Sequence, residues 1–445
     1  MPVLALAFAL ALGFAGPRAA LLALAVPVAV LLVLKPQVTL ALFLLAGTYK
    51  AELVESFHIP VDPTVFLAGL LLLGIVVGGF SRGFVTVLPD RRTLAGFGLL
   101  AGVMLLSYFV CQPGDYGRDK LLRFALLTGL ATFAPFALVR TRAGLRWFAG
   151  TVVVLGMLMP LAGTVTGEGL RAFGATHIAT GRAVGFGLLA ALYLLLDRPR
   201  TAAVRVALLV AAGILGLGLL YSGSRGSMVA LVASLAGFGL VSFGLKKGRR
   251  WALTGLAAVA VLLAVVSVAV PAATELMNHR LAQVLTDTQT VGAALGRLQR
   301  AEDAIGLFRS SPVLGVGIGG FDMARGFGDA ARGDYAHNIL LEVACELGLA
   351  GLAALFVLIW TGLSSSVGAM RRSHGRQEFA LATMLFLTLA YFLVNAMFSG
   401  DLNDNRLLFA GIGFSAALAP RNQGSGTRGP EHDPEEKPRM DTDEH

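Results

Sequence analysis

The chain consists mainly of apolar segments separated by short polar connections. Segments such as Val206–Tyr221 and Trp251–Val270 approach or reach the roughly 20 residues that a membrane-crossing helix needs. Because lipid offers the backbone no hydrogen-bond partners, and these runs lack a two-residue alternation, they predict helices rather than barrel strands. We predict about twelve spans and at most fourteen, with half-helices or merged pairs among the first three. The candidates lie near residues 2–16, 19–34, 37–49, 63–80, 94–110, 121–139, 147–164, 184–196, 206–221, 227–244, 251–270, 347–367, 378–398 and 404–419.

Composition leads to the same fold class. Of the 445 residues, 56% are hydrophobic and only 14% are charged, against about 25% charged in a soluble domain. The two cysteines form neither a metal-binding pattern nor a disulfide framework. We therefore predict an all-α polytopic membrane protein. Its predicted parts are a helical bundle (1–270), a long loop (271–346), C-terminal membrane helices (347–419) and a disordered tail (420–445).

The basic residues predict the orientation of the bundle. The net charge is +9, and the positive charges gather in alternate short loops instead of forming a surface for nucleic acid. These loops, and the tail after Pro420, should face the cytoplasm, which leaves the 271–346 loop on the opposite face. The basic clusters are Arg82, Arg91 and Arg92; Arg140, Arg142 and Arg146; Arg198, Arg200 and Arg205; Lys246, Lys247, Arg249 and Arg250; and Arg371, Arg372 and Arg376.

The 271–346 loop is by far the longest connection, and long connections usually carry function. Two amphipathic helices are predicted in it, at Ala273–Thr286 and at Val291–Arg309. A Gly-rich segment, Gly315–Gly320, then follows. It has no strand–helix unit around it and is no nucleotide fingerprint, so we interpret it as a turn where backbones approach closely.

Histidine and arginine side chains on this face are the candidates for chemistry. His337 precedes a span, and neutral imidazole can accept a proton near neutral pH, although a histidine at a helix entry can also bond only to local backbone. Asn338 beside it can orient a substrate hydroxyl. Arg225, within Ser222–Ser227, can hold a lipid diphosphate or can snorkel from a short hairpin loop.

Further arginines occur where the orientation rule disfavours positive charge. Arg182, Arg280, Arg297 and Arg300 lie on the predicted outer face, where they can serve an anionic substrate, lipid headgroups or ion pairs. For Arg300, pairing with Asp303 three residues on is the simpler explanation. Asp401 and Asp404 can position an acceptor or pair with an arginine. No cluster has the spacing of metal ligands.

The chain resembles the O-antigen ligase family. The resemblance is carried by Ser224–Gly226, by Gly296-Arg297, by Ser311–Phe321 and most strongly by Ala336–Gly351, whose His-Asn and Glu-Leu-Gly elements match a family block. It covers about residues 180–365. These motifs are shared by lipopolysaccharide ligases, some O-antigen polymerases and protein O-oligosaccharyltransferases.

The resemblance implies a membrane glycosyltransferase of GT-C type in the bacterial inner membrane, acting at the periplasmic face. The donor would be O-polysaccharide on undecaprenyl diphosphate, and the acceptor a sugar hydroxyl of lipid A–core, with neither metal nor cofactor. Since the diphosphate is already an activated leaving group, arginines can stabilise it while a histidine takes the acceptor proton. We expect His337 to be the base, Arg225 and Arg297 to contact the diphosphate, Arg182, Arg280 and Arg300 to assist, and Asn338 to orient the site.

Three other functions remain open at this stage. An O-antigen polymerase or a protein O-oligosaccharyltransferase would use the same donor with another acceptor. A lipid-linked glycan transporter or flippase belongs to a different class, for which internal repeats and mid-membrane charges are typical. The sequence shows no such repeat, and its charges cluster near the membrane faces.

Overall fold

The computed structural model describes residues 25–58, 61–82, 89–111, 114–138, 141–166, 169–197, 201–245, 253, 288–326 and 334–418. Five predictions lie outside these residues: the span at 2–16, the span at 251–270, the helix at Ala273–Thr286, Arg280, and the tail after Pro420. Within the described ranges the chain is helical, with one antiparallel hairpin in which Val165 pairs with Leu170. The predicted all-α membrane fold is therefore confirmed.

We number the described elements in chain order. The strands are β1 (Thr164–Thr166) and β2 (Gly169–Arg171). The helices are α1 (Ala25–Leu34), α2 (Pro36–Leu45), α3 (Lys50–Phe57), α4 (Pro63–Arg82), α5 (Arg91–Cys111), α6 (Asp115–Arg123), α7 (Gly129–Leu138), α8 (Arg142–Ala162), α9 (His177–Leu196), α10 (Ala202–Tyr221), α11 (Arg225–Phe243), α12 (Thr288–Ser310), α13 (Gly320–Ala324), α14 (Ile339–Arg372), α15 (Arg376–Ala396) and α16 (Arg406–Leu418).

Among the described residues, nine helices are long and apolar enough to cross a membrane, or ten if one bent pair counts as a span. One of the nine joins α6 and α7 through a π-helical turn, Phe124–Thr128. The bent pair is α1 with α2 and its short 3₁₀ extension, which meet at 108°. Pro36 explains the bend, because proline lacks an amide hydrogen and disfavours the helical conformation in the residue before it. The short predicted spans 19–34 and 37–49 thus correspond to a broken pair.

The centre of the bundle is formed by α9 and α15. Of the residues in their apolar spanning stretches, 67% in α9 and 78% in α15 are buried inside the protein, against 28% in α10. The outer helices instead expose large apolar side chains, such as Phe109 and Leu240. Such exposure suits lipid, which solvates apolar side chains without the cost that water imposes.

Helix α14 is broken at Gly348, whose backbone (φ 61°, ψ −159°) is not helical. The break frees backbone groups inside the bundle, where unpaired groups are costly. The chain at 312–317, which leads into the Gly-rich segment, supplies the missing partners through four hydrogen bonds: Val316 N–H to Cys345 O (2.8 Å), Gly317 N–H to Glu346 O (3.0 Å), Leu349 N–H to Pro312 O (2.8 Å) and Ala350 N–H to Val313 O (3.2 Å).

The glycines of this segment are required by close backbone approach. Gly315 and Gly317 have positive φ angles of 72° and 101°. A Cβ atom on Gly315 would lie 2.2 Å from the carbonyl carbon of Glu346, and one on Gly317 would lie 2.4 Å from Cβ of Cys111. The interpretation of Gly315–Gly320 as a close-approach turn is confirmed.

The predicted helix in the second half of the long loop is confirmed as α12. Its contact with the bundle is made by Ala304, which is 1% exposed and packs with Phe321, Ala336 and Cys345. By contrast, Leu298 is 57% and Ile305 is 39% exposed, so the apolar face that the sequence predicts here (Leu298, Ile305 and Phe308) is not the main packing face of this helix. A small side chain lets α12 lie close to α14.

Candidate functional site

The turn that follows α15, residues Asn395–Gly400, is where the predicted site elements meet. We call it the central turn. The Asn338 side-chain amide donates to Met397 O at 3.2 Å, next to His337. A Cβ atom on Gly226, next to Arg225, would lie 3.2 Å from Cβ of Phe398. The segments that carry His337 and Arg225 thus both reach this turn. The segment that carries Arg182 reaches it as well.

Arg182 is held against the end of α15. Its Nη2 donates to Asn395 O at 3.3 Å and to Ser399 O at 2.5 Å. Carbonyl groups at a helix C-terminus lack intrahelical partners and carry partial negative charge, so a guanidinium binds well there. Gly400 leaves room for the guanidinium, because a Cβ atom at this position would lie only 3.3 Å from Nη1 of Arg182. Arg182, predicted to assist with the substrate, therefore already binds the central turn through one side of its guanidinium.

Arg225 is the first residue of α11 and is exposed. The turn before it packs against α9 at Gly181, where an added Cβ atom would lie 2.6 Å from Cβ of Ser224. Ser224 Oγ donates to Ser227 Oγ at 3.0 Å, and Ser227 Oγ donates to Asn395 Oδ1 at 3.1 Å. These buried hydroxyls connect the start of α11 to the central turn, which fixes the backbone of Arg225 near Arg182.

His337 has a backbone conformation that few side chains adopt, with φ at +57°. Such strain costs about 1–3 kcal/mol and persists only where neighbouring contacts impose it. Here both neighbours are held: Ala336 is 3% exposed in the small core beneath α12, and Asn338 caps α14. The ring of Tyr335 lies 4.3 Å from the imidazole, centroid to centroid.

An ion-pair network holds the segment just before His337. Asp334 binds Arg300 Nε at 2.9 Å and Arg325 Nε at 2.8 Å, and Arg325 also pairs with Asp303. The predicted partner of Arg300 was Asp303. The structure instead joins Arg300 to Asp334, because the chain returns beside α12 and brings a carboxylate to its flank.

The charges around His337 weaken it as a base in the ligand-free protein. Burial, and then the positive charges of Arg300 and Arg297, lower the pKa of His337 to about 4, while Asp334 acts in the opposite direction. Nδ1 of the imidazole is buried without a hydrogen-bond partner among the described residues. The charges of both arginines on α12 therefore reach the imidazole.

Arg297 differs from the other arginines in its surroundings. It lies on α12 one turn before Arg300, is exposed, and has no hydrogen bond or ion pair with the residues that the structure describes. Its guanidinium is available to an anion that reaches His337. In the same described part of the chain, no three His, Cys, Asp or Glu side chains are grouped to hold a metal ion.

Asn338 has a structural task in this conformation. Its Oδ1 accepts the N–H groups of Leu340 (2.9 Å) and Leu341 (3.2 Å), which makes it the N-cap of α14. Its Nδ2 donates a hydrogen bond to Met397 O. Since both ends of the amide are occupied, Asn338 holds the chain beside His337 against the central turn.

Sequence reasoning missed a buried group of three charges. Lys120 Nζ lies 2.5 Å from Glu342 Oε1 and 2.7 Å from Glu346 Oε2, and none of the three side chains is more than 3% exposed. Part of the signal was present in the sequence, as two glutamates four residues apart in an otherwise apolar helix, whereas Lys120 lies among other charged residues and does not stand out. The pairing itself joins residues 226 positions apart and cannot be derived from local pattern.

Comparison with known proteins finds a family match. Residues 210–356 match the sequence profile of the family described as O-Antigen ligase. The match confirms the resemblance over a stretch that contains Arg225, Arg297 and His337, and it supports a ligase or polymerase type of function in O-antigen assembly. No curated protein matches the chain. Arg182, Lys120 and the central turn lie outside the matched stretch.

Proposed function

We propose that this chain, whose residues 210–356 carry the O-antigen ligase signature, transfers O-polysaccharide from undecaprenyl diphosphate to a sugar hydroxyl of lipid A–core. The reaction would take place at the periplasmic face of the bacterial inner membrane, without a metal ion and with inversion at the anomeric carbon. His337 is the proposed base, and Arg225 and Arg297 are the proposed contacts of the diphosphate.

One observation carries this proposal: the segments bearing Arg182, Arg225 and His337 all contact the central turn. Gathering arginines at one end of a helical bundle is costly, because like charges repel one another. An anionic ligand offsets that cost. A diphosphate on a lipid carries the required charge and reaches the site from the membrane side.

The chemistry follows from these groups. The acceptor oxygen attacks the anomeric carbon, the bond from that carbon to the diphosphate oxygen breaks, and the bonding electron pair leaves with undecaprenyl diphosphate. The hydroxyl proton moves to the imidazole of His337. Arginines placed at the leaving group stabilise its growing negative charge in the transition state.

The low pKa of His337 fits an ordered reaction. Without donor, burial and the charges of Arg300 and Arg297 hold the pKa near 4 and make the imidazole a weak base. A bound diphosphate would offset the positive charge of these arginines and raise the pKa toward neutrality, where a general base is most effective. Donor binding would thus activate the base.

Transfer in vitro tests the proposal. Purified protein in lipid nanodiscs would be supplied with undecaprenyl-diphosphate-linked O-polysaccharide and lipid A–core, with and without EDTA. We expect losses of about 100-fold or more for His337→Ala, Arg225→Ala and Arg297→Ala, since a base and an electrostatic contact each contribute on that scale. His374→Ala and Arg371→Ala, at the opposite end of the bundle, are matched controls and should retain transfer. Full activity of all three site variants at normal abundance would contradict the assignment.

The acceptor distinguishes the related functions. In a deletion strain, a ligase defect leaves lipid-linked O-polysaccharide and bare core, whereas a polymerase defect leaves core bearing a single repeat. Transfer to a protein acceptor would identify an O-oligosaccharyltransferase. A transporter would move labelled lipid-linked glycan across liposomes without any transfer. The buried charges argue against the transporter, because they lie within about 11 Å of the helix starts and so near one membrane face.

A further inference from the structure

The three charges of Lys120, Glu342 and Glu346 form a cluster that the proposed reaction does not use. The lysine lies between the carboxylates, at 2.5 Å and 2.7 Å, and all three side chains are at most 3% exposed. One oxygen of each carboxylate, Glu342 Oε2 and Glu346 Oε1, is buried with no hydrogen-bond partner among the described residues. Burying such a cluster is costly unless every polar atom is paired, and here two carboxylate oxygens are not paired among the described residues.

The cluster joins three separate parts of the fold. Lys120 belongs to α6, and its backbone carbonyl accepts the side-chain N–H of Asn403 at 3.0 Å. Glu342 Oε1 also accepts the backbone N–H of Leu402 at 3.1 Å. The two glutamates lie on the short first part of α14, so α6, this half-helix and residues 402–403 are bonded together through Lys120 and Glu342.

Because α14 is broken, the half-helix depends on contacts from outside the helix, and the charged cluster adds to the hydrogen bonds that Val316 and Gly317 make at its end. Gly348 interrupts the helix nine residues after its start, so Ile339–Leu347 is not held in line by the rest of α14. Asn338 and His337 directly precede this half-helix. The chain at 402–403 continues from the central turn, which binds Arg182 through Asn395 O and Ser399 O.

We propose that Lys120 is a positioning residue: by bonding Glu342 and Glu346 it holds the half-helix behind His337 against the chain that continues the central turn. This inference rests on the proposed function, in which His337 must face the arginines that bind the diphosphate. Lys120 touches neither substrate. Its effect passes through the relative placement of the imidazole and the central turn that binds Arg182.

The test replaces the charges without leaving any of them unpaired. In the variant Lys120→Met/Glu342→Leu/Glu346→Leu, apolar side chains of similar size fill the same space, and replacements of this type are often neutral or stabilising. The hydrogen bond from Leu402 N–H is lost. We expect normal abundance and thermal stability, a kcat for glycan transfer lowered about 10- to 100-fold, and a donor KM within about twofold of wild type. The kcat falls while the donor KM stays nearly constant, because the arginines still bind the diphosphate but the base is misplaced.

A matched control removes another ion pair of the bundle. Arg146 Nε binds Asp197 Oδ2 at 2.6 Å at the opposite end, so Arg146→Met/Asp197→Leu should leave both kcat and KM unchanged. Wild-type kcat in the triple variant would overturn the proposal. A rise in donor KM with unchanged kcat would do the same. If the triple variant does not accumulate, Lys120→Arg takes its place, with the same expected loss of kcat and the same refuting result.

A measurement without substrate separates this inference from the proposed function. Spin labels at positions 340 and 398, in a C111A/C345A background, report the distance between the half-helix and the central turn. We expect one narrow distance distribution with Lys120 present and a broader or shifted one in the triple variant. An unchanged distribution overturns the positioning role even if wild-type protein transfers glycan. If wild-type protein transfers no glycan, only the proposed function fails.

Discussion

The proton affinity of His337 is the property of the site that can be perturbed most directly. Burial comes first among the causes that lower its pKa to about 4, and the charges of Arg300 and Arg297 come next. Arg300→Gln removes one of these charges while leaving a side chain that can hydrogen bond to Asp334, its partner at 2.9 Å. The pKa of His337 should therefore rise.

The size and the sign of the change can be worked out from the site. A like charge at close range shifts a pKa by about one unit, so the midpoint should move from about 4 to about 5. It should stay below the usual 6.5, because burial and Arg297 still act on the imidazole. Freeing Asp334 from its arginine acts in the same direction, since its negative charge already raises the pKa.

The assay is the pH dependence of chemical modification. Diethyl pyrocarbonate reacts with the neutral imidazole, and mass spectrometry of the peptide that contains His337 gives the rate from pH 3.5 to 8. His374, at the opposite end of the bundle, serves as an internal reference whose profile Arg300→Gln should leave unchanged. A midpoint for His337 that stays put, or moves to lower pH, would refute the electrostatic account of this site.

Three further substitutions test the supports of the site. Asn338→Ala removes the N-cap of α14 and the bond to Met397 O, and should cost about 1–2 kcal/mol in thermal unfolding, whereas Asn338→Asp should keep the cap and lose less. Gly315→Ala places a Cβ atom 2.2 Å from the backbone of Glu346 at a φ of 72°, and should sharply lower the yield of folded protein; Gly306→Ala, with open space around it, should not. Tyr391→Phe removes the hydroxyl that donates to Gly181 O at 3.2 Å and should lower stability by about 1 kcal/mol in the same assay, and no change would show that the bond is dispensable.

The sequence determined the elements of the fold to a large extent. Every predicted apolar segment that falls within the described residues is helical, because lipid leaves a spanning backbone no other way to satisfy its hydrogen bonds. The bend at Pro36 and the close approach at Gly315 are also local, since one residue's own geometry dictates each of them. The short motifs around Arg225, Arg297 and His337 were enough to indicate the resemblance that the match over residues 210–356 supports.

What the tertiary structure alone decided is how the polar groups are paired. Arg300 bonds Asp334 instead of the nearby Asp303, and Lys120 pairs with glutamates more than 200 residues away. Apolar periodicity cannot predict such pairs, because lipid-facing and protein-facing positions are equally apolar and leave the neighbours of each helix undetermined. Only when the helices are packed do Arg182, Arg300 and Lys120 acquire their partners.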